Sequence, residues 1–149
     1  MALTAVLVKL PSALESQLQN DAGLSFFEYG VRAVLSESPG RTRRMSELAA
    51  LAEGSLPRLS QVAARLEKRG LVERSPDPTD GRYTLAHLTD AGWDTITAAA
   101  PGHVAEVRRL VVDPLTQAQV RQLTEIGHRI MRSIDPDDAC LRPASFPTD

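Results

Sequence analysis

A chain of 149 residues, 42% hydrophobic and 24% charged, is long enough to bury one core without disulfide or metal staples and has the balance of an ordered globular protein. Aromatic residues are sparse at 4%, so the core is expected to be mostly Leu, Val and Ala, and no apolar run approaches the roughly 20 residues that cross a bilayer. The net charge of −2 argues against a nucleic-acid partner until its distribution is considered. Arg41 to Arg82 holds nine basic residues against six acidic ones, a local +3, and the rest of the chain carries −5. A basic middle between acidic ends suits one face meeting phosphate. Fifteen of the seventeen basic residues are Arg, which grips phosphate or guanine with two nitrogens, although a GC-rich genome gives the same bias.

Leu3, Val6, Leu7, Leu10, Leu14 and Leu18 recur at helical spacing, with Pro11 expected to kink or split the helix. Met1 to Leu10 lacks the basic leader and small-residue cleavage site of a secretory signal and is read as part of this helix. Asn20, Asp21 and Gly23 make a turn. Ser25 caps a helix to about Ser36 with Phe27, Val31, Val34 and Leu35 inward, and Ser38-Pro39-Gly40 ends it. Ser46 is the expected cap of a short helix holding Leu48, Ala49, Leu51 and Ala52, which Gly54 breaks. Ser55 caps the next helix, Pro57 sits harmlessly in its first turn, and Gly70 follows its end at Arg69. Two helices about so tight a break make a helix-turn-helix.

Leu71 to Ser75 reads as a strand, residues 76–81 as a turn in which Gly81 is expected to take a positive φ, and Arg82 to Leu88 as the returning strand. Thr89 caps a long helix through Trp93, Ile96, Val104, Val107 and Leu110, with a break expected near Pro101-Gly102. Thr116 caps a last helix with Val120, Leu123, Ile126 and Ile130 on one face. The acidic, proline-containing stretch beyond Asp135 is expected to be disordered.

In the helix from Ser55 to Arg69, Leu59, Val62, Ala63 and Leu66 mark a core-facing stripe, and Arg58, Gln61, Arg65 and Lys68 form the opposite one. Long donor side chains on the outer face of a second helix suit the reading of base edges in a major groove; the same pattern also fits a plain solvated helix. The hairpin that follows adds weight to the first reading. Arg82 is placed to reach a narrow minor groove, with Asp80 two residues earlier to hold its direction, whereas an incidental surface ion pair would contribute only about 0–1 kcal/mol.

The run Arg65-Leu66-Glu67-Lys68-Arg69-Gly70-Leu71-Val72-Glu73-Arg74, then Asp77 through Asp80-Gly81-Arg82, then Leu88-Thr89-Asp90-Ala91-Gly92, resembles the signature of the MarR family of bacterial regulators. Met45-Ser46-Glu47-Leu48-Ala49 is similar to that family's first helix of the helix-turn-helix, so the likeness spans roughly Leu24 to Ile134. The resemblance implies a mainly α fold with a small β-hairpin wing, a winged helix-turn-helix with interlocking terminal dimerisation helices. Its expected divisions are an N-terminal dimerisation helix (1–24), the winged region (25–92), C-terminal dimerisation helices (93–134) and a tail (135–149). It implies a cytoplasmic homodimer on a pseudo-palindromic duplex, a repressor released by a small ligand, with Asp80 and Arg82 as the wing pair. Ser55, Arg58, Ser60, Gln61 and Arg65 fall where such proteins meet DNA; Lys68 and Arg74 extend the set. Pro57 departs from the family pattern, standing where a hydrogen-bonding residue is usual, and the chain ahead of Leu10-Pro11 is shorter than members usually carry.

An effector pocket is expected between the dimer helices and the winged region, with Phe26, Phe27, Tyr29 and Trp93 as candidate linings; a core or interface role for Trp93 stands beside that reading. His87 belongs to the wing strand, while His103 and His128 are expected on helix surfaces, too scattered for a local metal motif. Cys140, alone and beside Asp137 and Asp138, permits no internal disulfide and suits a reducing compartment rather than a thiolate sensor. No nucleophile triad, phosphate loop or dinucleotide fingerprint points to catalysis or a cofactor. The alternative function is a winged helix used as a protein–protein module.

Overall fold

The computed structural model describes Met1 to Pro136 and divides after Val107 into two compact units. In the first, α1 (Ala2–Ala22) and α2 (Phe26–Glu37) are followed by a 3-10 turn, Pro39–Arg41. Strand β1 (Thr42–Arg44) leads directly into α3 (Met45–Leu51), then come α4 (Leu56–Lys68), β2 (Val72–Pro76), β3 (Thr84–Leu88) and α5 (Asp90–Val107). The second unit opens with a π-helical stretch, Arg108–Val112, and continues into α6 (Gln117–Ile134).

The core of the first unit forms where α2, α3 and α4 close over the inner face of the sheet. Val31, Leu35, Leu48, Leu59, Val62, Leu66, Val72, Ala86 and Leu88 are all buried there, and Ile96 joins them from α5. The helix starts follow the caps. Ser25 Oγ accepts the Glu28 amide at 3.0 Å while Glu28 Oε2 accepts the Ser25 amide at 3.3 Å, a reciprocal box at the head of α2. Thr116 and Gln119 make the same box for α6, and Ser55 caps α4. Gly70 holds the left-handed conformation (φ 69°) expected of the residue that ends α4. At Gly92 the first turn of α5 lies so close to β2's approach that a Cβ would strike the carbonyl oxygen of Leu71; this glycine makes room for backbone.

Several expectations are corrected. Pro11 does not split α1, and Pro101 does not interrupt α5. Both prolines are exposed, and so are the residues four positions earlier, Leu7 and Thr97, whose carbonyls lose a donor and can be served by water. Helix α3 begins at Met45 rather than after Ser46, because Arg44 is held extended (ψ 139°) by pairing with Leu85 and the buried Met45 starts the first turn. The hairpin is in fact a three-stranded antiparallel sheet of order β1-β3-β2, with Arg43 and Arg74 both opposite Ala86. His103 is buried rather than superficial: its Nδ1 lies 3.0 Å from Gln17 Oε1 and its ring 4.4 Å from that of Tyr29, and desolvation lowers its pKa. Gly81 is not among the positive-φ residues. The turn is closed by the Tyr83 amide on the Asp80 carbonyl (3.0 Å) and needs no left-handed residue.

Candidate nucleic-acid interface

Helix α4 is anchored by its buried stripe, with Leu59 and Leu66 fully enclosed, so its opposite face is held outward. That face carries Arg58, Gln61, Arg65 and Lys68, all exposed, with Ser60 half-buried at its edge. Two of the arginines are oriented from behind. The Arg58 guanidinium stacks 4.1 Å above the Phe27 ring, and Arg65 Nη2 lies 3.4 Å from Glu28 Oε1. Ser55 Oγ accepts the Arg58 amide at 3.3 Å, so the cap serves the helix first; its hydroxyl proton is left for another acceptor.

The wing is shaped by carboxylates. Asp80 takes Arg82 at Nε (2.9 Å), Nη2 (2.7 Å) and the backbone amide (3.2 Å). The side chain of Arg82 is nonetheless 83% exposed. Hydrogen bonds from Arg82 lower the Asp80 pKa and raise that of Arg82. Beneath them Asp77 is buried and accepts the Thr79 amide (2.8 Å), the Thr79 hydroxyl (2.7 Å) and Arg44 Nε (2.7 Å). Thr79 first and Arg44 after it hold the Asp77 carboxyl down at about 2. Arg44 also lies 4.4 Å over the Tyr83 ring, so strand β1 is tied to the wing by charge, hydrogen bond and ring.

Between α4 and the wing runs a cleft of about 230 Å³ that brings Ser60, Arg74 and Arg82 together with Ser46, Tyr83 and Thr84. Gln61, Lys68, Ser55, Arg58 and Arg65 lie outside its lining. Arg74 is less free than the sequence suggested. Its Nε, Nη2 and backbone amide all donate to Glu67 of α4, at 3.1, 2.7 and 3.2 Å, which clamps β2 to the helix.

The four aromatic pocket candidates separate. Phe26 and Phe27 line a largely apolar cavity of about 610 Å³ between α1, α2 and the end of α3, which Arg58 also borders. Trp93 lines a different groove with Ile96 and Val104 and stacks under Arg41 at 4.2 Å, while Tyr29 packs on the His103 ring at 4.4 Å, which Phe26 also approaches at 5.9 Å. Sequence reasoning gave no site role to Glu28, Arg44, Tyr83 or Asp77, the last of which stands in the family signature. The spelling Ser25-Phe26-Phe27-Glu28 already carried a capping-box signal for Glu28. Arg44 and Tyr83 had none, because strand β1 was itself unrecognised. Cys140 lies outside the described residues. Among the described residues no three His, Cys, Asp or Glu side chains cluster as a metal site would need, and no helix is long and apolar enough to cross a membrane.

Comparison with known proteins places this geometry among regulators. Residues 23–82 match the family model described as MarR family. The solved structure of Sco3205, a MarR family transcriptional regulator from Streptomyces coelicolor in complex with DNA, is 41% identical over 94% of this chain and 88% of that one, with a TM-score of 0.88. AbsC, a MarR family transcriptional regulator from the same organism, is 34% identical with 91% of each chain covered and a TM-score of 0.86. Among curated sequences, the uncharacterised regulator YdcH of Bacillus subtilis is 39% identical over 62 residues; the match spans 42% of each chain, less than half of YdcH's length.

Proposed function

The chain belongs to the MarR family of transcriptional regulators, and from that membership we propose how its surface is used. It is a DNA-binding regulator that acts in the bacterial cytoplasm as a homodimer on a pseudo-palindromic duplex and represses transcription there. Helix α4 enters the major groove with Arg58, Gln61 and Arg65 toward base edges. Ser55, Ser60 and Lys68 meet the backbone, Arg74 steadies the cleft, and Arg82, aimed by Asp80, enters the adjacent minor groove. The observation that carries this reading is the wing arginine, bound at three points by one carboxylate and still 83% exposed. Such an arrangement fixes a direction without consuming the charge. The role asks no side chain to make or break a bond, and we assign none a catalytic one.

Two apolar surfaces support the homodimer. In α1, Leu3, Val6 and Leu7 are 52–65% exposed, and in α6, Leu123, Ile126, Ile130 and Ile134 are 46–71% exposed on successive turns. Side chains of that size left in water at helical spacing are what a partner helix would cover. The cavity bordered by Phe26, Phe27 and Arg58 is the proposed seat of a small apolar effector, since an occupant there touches the platform under Arg58.

Fluorescence anisotropy tests the reading, with the duplex upstream of the coding region and a scrambled duplex, each at two salt concentrations. Tighter binding to the native fragment, weakening with salt by a slope of roughly −0.9 per neutralised phosphate, is expected. Absence of salt-sensitive binding to either duplex would favour the protein–protein module instead. Sedimentation of the free protein at micromolar concentration should give a dimer; a monomer would remove that part of the reading.

A further inference from the structure

Glu28 touches the outer face of α4 from beneath, through Arg65. It is 9% exposed, at the third position of α2. Oε2 accepts the Ser25 amide at 3.3 Å and Oε1 faces Arg65 Nη2 at 3.4 Å. One turn further along α2, Arg32 is wholly buried. It donates Nε to the Glu28 carbonyl oxygen and Nη1 to Thr95 Oγ1, both at 3.3 Å, while its Nη2 has no partner. Burial lowers the Arg32 pKa most, the charge of Arg69 lowers it further, and Glu28 works against both. Arg65 thus meets the Glu28 carboxylate directly, whereas Arg32 bonds the backbone carbonyl oxygen of Glu28 and senses its carboxylate only as a nearby charge. Arg32 is sealed into the core, and Arg65 is 60% exposed on the recognition face.

The two ties differ in consequence. An ion pair of 3.4 Å to a mostly exposed guanidinium adds little to stability, so its effect is on where Arg65 points. Glu28 also keeps the positive end of α2 and the buried charge of Arg32 when Arg65 turns away, so releasing Arg65 to a base leaves no orphaned carboxylate. A negative charge behind the recognition face also opposes phosphate. Arg65 held by it is a poor partner for an arbitrary backbone and an oriented one for the flat edge of a guanine, which needs two coplanar nitrogens.

We propose that Glu28 is a positioning residue for sequence discrimination: through its contact with Arg65 it favours the cognate base edge and disfavours indiscriminate phosphate contact. This rests on the DNA-binding reading above, and the experiment separates the two. A duplex is first selected from a random pool by the wild-type protein, and its affinity is compared with that of a scrambled duplex for wild type, Glu28→Gln, Arg65→Ala and the double variant. Glutamine at this position still completes the capping box. Glu28→Gln is expected to lower the selected-to-scrambled affinity ratio about tenfold, with scrambled binding equal or tighter, and to change nothing further in the Arg65→Ala background. Arg65→Lys, which leaves the α2 cap untouched, is expected to reproduce the loss because an ammonium cannot present two coplanar donors. An unchanged ratio in Glu28→Gln, an undiminished effect of that change without Arg65, or full discrimination by Arg65→Lys would each overturn the proposal and leave DNA binding standing. If the wild type selects no duplex, the DNA-binding reading fails and the inference falls with it.

Discussion

The two parts of the proposed DNA-facing surface are held in place by different physics. Helix α4 is positioned by dry packing: Leu59 and Leu66 have no exposed surface, and Val62 and Ala63 have almost none. The wing has little core behind its tip, where residues 78, 79 and 81–84 are all exposed, and its shape comes from Asp77 and Asp80 with their arginine and threonine partners. Moving the helix therefore means disturbing the whole fold, whereas the wing can change locally. A single surface thus combines a reader whose position is as stable as the domain with one whose geometry depends on a few charged hydrogen bonds.

The sharpest way to break this contrast is to hollow out the packing behind α4. Leu66→Ala should cost about 2–5 kcal/mol and lower the melting temperature by roughly 5–20 °C, followed by circular dichroism. A shift no larger than that of an ordinary surface substitution would mean that α4 is not held by its core stripe. Arg82→Ala is the corresponding change on the wing. It should leave the melting temperature within about a degree of wild type and weaken DNA binding by about 1–3 kcal/mol, and titration at fixed salt reads both the affinity and its salt slope. Unaltered affinity would remove Arg82 from the interface.

Acid should affect the wing before the helix. The Asp77 carboxyl sits at about 2, below the ordinary value near 3.9, so its contribution to stability is complete above about pH 4 and disappears as pH falls through about 2. Asp77→Asn should therefore melt lower than wild type at pH 7, and the gap should narrow steadily below pH 4. A gap that persists at pH 2 would show that the clasp works through shape rather than charge. The smallest effect is expected from Gly81→Val. With no left-handed φ and no atom within 4 Å of a Cβ built there, the change should leave melting and binding nearly as they were. A large loss would mean that the wing tip needs a backbone freedom absent from this structure.

Much of the fold was legible because it is encoded locally. The caps Ser25, Ser55 and Thr116 each face an amide within their own first turn, and the stripe Leu59-Val62-Ala63-Leu66 repeats at the helical period. The Asp80–Arg82 pair was equally readable, since its partners are two residues apart. What escaped notice depended on distant partners. Thr42-Arg43-Arg44 has no apolar alternation and becomes a strand only because β3 offers it an edge. His103 looks like a surface residue until Gln17 and Tyr29 close on it. The four aromatics expected in one pocket share none: Phe26 and Phe27 line one cavity, Phe26 and Tyr29 both flank His103, and Trp93 lies in another groove.

By itself, then, the order of residues determined most helices, the caps Ser25, Ser55 and Thr116, the place of the wing turn and the basic stripe, because each depends on a side chain meeting backbone or neighbours within about one helical turn. Tertiary structure alone decided which arginines are aimed and by what: Arg58 by a ring on α2, Arg65 by the carboxylate beside it, Arg44 by a buried aspartate 33 positions away, Arg74 by Glu67. A guanidinium on a long flexible stem has no direction of its own, so its orientation comes from whatever charge or ring the folded chain places beneath it.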